Sequence, residues 1–304
     1  MFEKEIERYE RVRRKYESDI VAKMVPEDYM AWHEVLFSCH SCAIEGNSFT
    51  VDDTRILREQ GLAMVPSGHS LLECAEMSDH FRAFRYVTSH TDAPFDEALL
   101  RETNRLVMEN TMAYRAPGAV PGEYTHEDMA AGDTVFGDHE ILVARVPALL
   151  ASTADALARG IHPMIVSARF HGFFEHLHPF RDGNGRTGRL MSNWLLLHAG
   201  HPLLVIDIKD RAAYIEALKR KRTEGTDEFL ISFFFKAANS SFARSPYPSS
   251  LAMSSSHSRR PDVRSSYLKS VPLTNDLNAS KSLSVIEKAS GSAMRLFSLQ
   301  YIVA

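Results

Sequence analysis

The chain is 304 residues long, 44% hydrophobic, with a formal charge of −4. That balance suits one globular domain, alone or with an appendage, and argues against a general nucleic-acid binder. No run approaches the roughly 18 uninterrupted apolar residues of a membrane span, and three cysteines fit a reducing compartment better than a disulfide framework.

The N-terminal stretch MFEKEIERYERVRRKYE is charged throughout and lacks the apolar core of a signal peptide. It reads as a solvated helix of mixed charge, and the expected location is the cytoplasm. Ser41 to Gly46 is SCAIEG, in which Ser41 and Glu45 are four apart and share one face of a helix. Cys39 and Cys42 form a CxxC, but only Cys74 accompanies them and no thioredoxin-like βαβ context surrounds them, so a redox or zinc role is not favoured. Leu71 to Val87, Phe95 to Met108, Val146 to Leu157, Met164 to Leu177 and Phe229 to Ala238 carry apolar residues at three-to-four spacing, which predicts helices.

Between Pro121 and Pro147 the pattern changes. Gly122, Gly132 and Gly137 break helices, while Thr134–Val135–Phe136 and Ile141–Leu142–Val143 predict two short strands about a turn. Phe233–Phe234–Phe235 reads as core, with a homodimer contact as the alternative. From about Ser245 the chain is rich in serine and proline and is expected to be disordered.

The stretch His178 to Arg189, HPFRDGNGRTGR, carries the chemistry. Pro179 disfavours helix at His178, and Leu190, Trp194 and Leu197 predict a helix starting near Asn184. A helix start presents free backbone N–H groups, a natural seat for phosphate. Arg186 and Arg189 are three apart and form an anion clamp beside it. Asp182, the lone carboxylate, suits a Mg²⁺ bridging to phosphates, and His178 can take a proton near neutral pH. Together they describe phosphoryl or nucleotidyl transfer to a hydroxyl. Gly183, Gly185 and Gly188 also spell GxGxxG, with Asp207 roughly 20 residues on, as a dinucleotide fold requires. HLHPFRD is not the hydrophobic strand that such a loop must follow. There is no GxxxxGK[ST], and His171, Glu175 and His176 lack the spacing of a zinc site, so both histidines read as packed or hydrogen-bonded.

These residues resemble the Fic family, whose motif HPFx(D/E)GNGRxxR is matched at every position. The resemblance extends over roughly residues 30 to 240, taking in RFHGFFEHLHPF before the loop, RLMSNWLLLHAGHPL after it, and Ala212 to Leu218. It implies an all-α helical bundle with one small β-hairpin flap and a disordered C-terminal tail. Three regions are expected: 1–60 with the inhibitory motif at 41–46, a catalytic core at 61–243, and a tail at 244–304.

The implied activity is transfer of AMP from ATP, with Mg²⁺, to a Ser, Thr or Tyr hydroxyl of a protein target, and to itself. His178 would be the base and Asp182 the metal ligand. Gly183, Asn184 and Gly185 would line the anion hole, with Arg186 and Arg189 on the outer phosphates. SCAIEG resembles the family's inhibitory motif, so Ser41, Glu45 and Gly46 would form a brake in which Glu45 pairs with Arg189. Thr134, Val135 and Phe136 would belong to the flap that holds the target by edge pairing. The family's GxYR before the flap appears imperfectly, as Gly122–Glu123–Tyr124–Thr125. The alternatives are AMP removal or another phosphate donor at the same site, and a binding module with a vestigial site.

Overall fold

The computed structural model describes residues 2–63, 67–131, 134–136 and 138–243. The expected tail at 244–304 lies outside them. The fold is a helical bundle: α1 (Glu3–Asp19), α2 (Pro26–Ile44), α3 (Val51–Gln60), α4 (Leu71–Ser89), α5 (Glu97–Met108), α6 (Met112–Arg115), α7 (Leu142–Ala158), α8 (Pro163–Leu177), α9 (Asn184–His198), α10 (Arg211–Glu224) and α11 (Glu228–Phe242). Local sequence sets the starts. Thr50 with Asp53 and Ser70 with Glu73 form capping boxes on α3 and α4. Proline stands in the first turn of α2 and α8, where its missing N–H costs nothing.

The antiparallel pair α8 and α9 is the centre of the bundle. On one side Phe170, Phe174, Leu190, Met191 and Trp194 join α4, α5 and α7 in a single apolar cluster. On the other, Met164, Ala168 and Leu196 meet α1, α10 and α11. α8 and α9 approach closely at Gly188, where a Cβ would lie 2.9 Å from Phe174 Cδ1 and 3.0 Å from both Glu175 Oε1 and His171 Nδ1. Phe233, Phe234 and Phe235 are buried within the second cluster.

Two expectations are corrected. First, α1 is not merely solvated. Its mixed-charge face is outside, but Tyr9 is fully buried and bonded to His201 Nδ1 at 2.8 Å, and Tyr16 stacks on Phe242. Tyr9 and Tyr16, seven apart, dock the helix, and Ile6 and Val12 pack partly buried against the same cluster.

Second, Ile141–Leu142–Val143 is not a strand. The hairpin pairs β1 (Ala130–Ala131) with β2 (Thr134–Val135), Ala130 opposite Val135 and Ala131 opposite Thr134. Beyond it, Asp138 caps a 3₁₀ turn over His139–Ile141 and the chain enters α7. Leu142, Val146, Leu149 and Leu150 continue one helical stripe into the core, and that burial outweighs the β-propensity of Ile141 and Val143.

One helical segment has the length and mean hydropathy of a membrane span, His139–Ala158 at 20 residues and 1.5, but Glu140, Arg145 and Asp155 interrupt its apolar run. Here the stripe from Leu142 to Leu150 faces the bundle.

Candidate active site

The phosphate loop lies between α8 and α9, and several non-local contacts set its shape. His178 closes α8 with its N–H on the Phe174 carbonyl at 2.9 Å, in left-handed geometry at φ 48°. It is the one described residue other than glycine with positive φ. Such a conformation costs of order 1–3 kcal/mol and persists only where its surroundings enforce it. Pro179 blocks further helix, and the loop then pairs with the segment before the flap. Thr125 N–H donates to the Pro179 carbonyl at 2.8 Å, and Tyr124 forms a bridge with Phe180. The imperfect GEYT segment is therefore seated directly on the loop.

Asn184 is a clamp. Its side chain accepts from Phe180 N–H at 3.0 Å and donates to the Phe180 carbonyl at 2.7 Å. That amide is used to fasten the loop through both its oxygen and its nitrogen. Gly183 has φ 80°, and a Cβ there would strike Met108 at 2.8 Å, so both conformation and space demand glycine. Asn104 of α5 ties the turn by donating to the Asp182 carbonyl at 3.0 Å and to Thr187 Oγ1 at 3.2 Å.

Around this loop stand the groups that could do chemistry. The His178 ring stacks on Phe136, centroids 3.8 Å apart and planes within 15°. Its Nδ1 is 4.0 Å from Glu175 Oε2. Burial lowers the imidazole to about 4, with the Glu175 backbone and the carboxylates of Glu45 and Asp182 opposing only in part. The ring is therefore neutral at pH 7 and able to accept a proton. Asp182 is partly exposed, and the N–H of Gly183 and the guanidinium of Arg186 both bond its Oδ1. One accessible carboxylate is what Mg²⁺ requires when phosphates and water supply its other ligands, so the donor set fits that ion.

The two arginines have different surroundings. Arg186 is fully buried, paired with Glu76 of α4 and 3.3 Å from Asp182. It is not half of an open clamp: its guanidinium is already neutralised. Arg189 is buried beneath the start of α9. Its Nε donates to Ser41 Oγ at 3.0 Å, and its Nη2 to the Ser41 carbonyl at 2.7 Å and Glu45 Oε1 at 2.8 Å. Tyr214 of α10 closes its other side at 3.4 Å.

Glu45 follows the end of α2, and Gly46 (φ 103°) turns the chain away. Burial pushes the Glu45 carboxyl up, but Arg189 and Arg186 outweigh it and hold the group below its ordinary value. A Cβ on Gly185 would sit 2.3 Å from Glu45 Oε1, so this carboxylate lies directly over the first turn of α9. α9 has no side-chain cap. A carboxylate thus stands in the anion seat that the helix start creates.

Sequence reading passed over several of these partners. His171, Glu175 and His178 lie at i, i+4 and i+7, one face of α8, and that spacing was a usable signal. His171 is neutral, lowered by burial to about 3, and its Nε2 lies 2.6 Å from the Tyr214 hydroxyl. Glu175 is raised to about 7, by burial first and by Glu45, against the pull of Arg189. Glu76 carries no local signal, being 110 residues from Arg186. Cys39, Cys42 and Cys74 are buried free thiols.

An uncapped helix start beside a neutral imidazole and an accessible carboxylate is an arrangement that can receive a phosphate. Residues 94–196 match the Fic/DOC family and form a Fic domain. Protein adenylyltransferase Fic of Drosophila virilis is 32% identical over 185 residues, 59% of this chain and 36% of that protein. Its Drosophila melanogaster counterpart is 31% identical over the same length. The chain thus spans about a third of the length of these curated relatives.

Among solved structures, the Fic domain containing signaling protein from Bacteroides thetaiotaomicron shares the fold at TM-score 0.67 and 23% identity, over 77% of this chain and 94% of that one. Fic-1 from C. elegans (aa134–508) does so at 0.62 and 24%, over 79% and 70%.

Proposed function

We propose that this protein is an autoinhibited protein adenylyltransferase that moves AMP from ATP to a Ser, Thr or Tyr hydroxyl of a protein target, and to itself. Relatives named for that activity support the reaction type. The observation that carries the autoinhibition is the Glu45 carboxylate lying over Gly185 and bonded to Arg189. With Glu45 displaced, the start of α9 and Arg189 become available to phosphates. His178 takes the proton of the target hydroxyl, whose oxygen attacks the α-phosphorus as pyrophosphate leaves. Mg²⁺, when bound, supplies charge neutralisation at the phosphates, and Asp182 is the residue to hold it. Phe136 fixes the imidazole plane from the flap side, and the β1–β2 hairpin offers backbone to an extended target segment.

Incubation of the wild type and Glu45→Gly with α-labelled and γ-labelled ATP tests the reading. Protein label from the α position alone is expected. Label from γ alone means a kinase, and label from neither removes the proposal.

A further inference from the structure

One buried carboxylate joins the brake to the phosphate loop without belonging to either. Glu76 on α4 is fully buried and receives donors from three separate segments. Its Oε1 takes the guanidinium of Arg186 from α9 and that of Arg115 from α6, the latter at 3.0 Å. Its Oε2 takes the side-chain amide of Asn47 at 2.9 Å. Asn47 is two residues beyond Glu45 and is itself buried. The same amide also donates to the Glu73 carbonyl at 3.2 Å. Next to it, Ser48 donates to Glu73 Oε1 through its N–H at 2.9 Å and its hydroxyl at 2.6 Å. The first two turns of α4 therefore grip residues 47 and 48, leaving Gly46 between that grip and Glu45.

We propose that Glu76 is a positioning residue that sets the brake and the phosphate loop in one register, fastening Asn47 so that Glu45 reaches Arg189 while holding Arg186 in place. This rests on the autoinhibited reading above. The physical basis is the cost of breaking a buried, charge-assisted network. A carboxylate held by two guanidinium groups cannot move without breaking both ion pairs, one of them fully buried, so α4 is a firm post. A segment pinned to that post two residues from Glu45 has little freedom to let Glu45 swing away. The strength of the brake then depends on an amide that touches neither Arg189 nor any reacting group.

Glu76→Ala would break the ion pairs of Arg115 and of the buried Arg186 at once and threatens the fold, so Asn47 is the position to test. Asn47→Ala removes the bond to the Glu76 carboxylate, of the size that shifts an equilibrium by about tenfold or more, together with the bonds to the Glu73 carbonyl and from Phe49 N–H. In the wild-type background it should raise the initial rate of self-labelling by about tenfold. In the Glu45→Gly background it should change that rate less than about twofold, because the brake is already gone. A merely structural role lowers both rates alike and overturns the proposal. No change in the wild type, alongside activation by Glu45→Gly, overturns it while leaving the proposed function intact. If Glu45→Gly fails to label, the functional reading falls. Hydrogen exchange then decides the coupling separately. Faster exchange over 41–48 in Asn47→Ala, with the rest of the protein unchanged, supports it, and unchanged exchange there rejects it.

Discussion

Removing the Glu45 carboxylate should release the site in steps of predictable size. In Glu45→Gln the shape stays and the charge goes. A hydrogen bond between charged groups contributes about 1.5–3 kcal/mol. The low end applies here, because a third of the Glu45 side chain faces solvent, where pairing is screened. Arg189 keeps its bonds to Ser41 and Tyr214 and stays oriented. At 1.4 kcal/mol per tenfold, Glu45→Gln should raise self-labelling about tenfold. Glu45→Gly also empties the space over Gly185, which the carboxylate now fills at 2.3 Å from a would-be Cβ. It should reach the upper end, about 100-fold, corresponding to about 3 kcal/mol. The assay is the initial rate of α-phosphate label entering protein at saturating ATP. The reasoning is refuted if the glycine variant labels no faster than the wild type, or if the glutamine variant exceeds it.

Three further outcomes are expected. His178→Ala in a Glu45→Gly background should lose roughly 10²–10⁴ in labelling rate while still binding a fluorescent ATP analogue, since only a positioned base is removed; loss of nucleotide binding would reassign the residue. Phe136→Ala should slow target labelling by up to about tenfold, the worth of one ring stack at about 0.5–1.5 kcal/mol, with nucleotide affinity unchanged; an equal loss in both would mean that the stack serves the fold. Glu175 has a folded pKa raised from 4.5 to about 7, so the folded state binds the extra proton between those values and stability falls as pH rises through that window. Glu175→Gln should therefore gain up to about 3 kcal/mol relative to the wild type from pH 4.5 to 8, read by urea unfolding; a constant difference across that range contradicts the assignment.

Much of this site was readable in one dimension. The loop from His178 to Arg189 is contiguous, and its residue types announce phosphate chemistry together. The SCAIEG segment, meaningless alone, gained its sense from that loop. Helix positions followed from three-to-four spacing: α8 lies within a residue of expectation, and α9 starts where expected. The flap was harder. Its β2 strand was expected, but Ile141–Val143 was assigned to the wrong partner. A three-residue apolar run has no period of its own, and α7 absorbed it by extending a stripe already aimed at the core.

Local order in the chain determined where helices lie and which short loop gathers His178, Asp182, Arg186 and Arg189. Tertiary structure alone decided that Arg186 is neutralised by Glu76, that α1 docks through Tyr9, and that Phe136 covers His178. The reason is that a helix or a motif repeats or clusters along the chain. A partner 42 or 110 residues distant leaves no such trace, and only packing selects it.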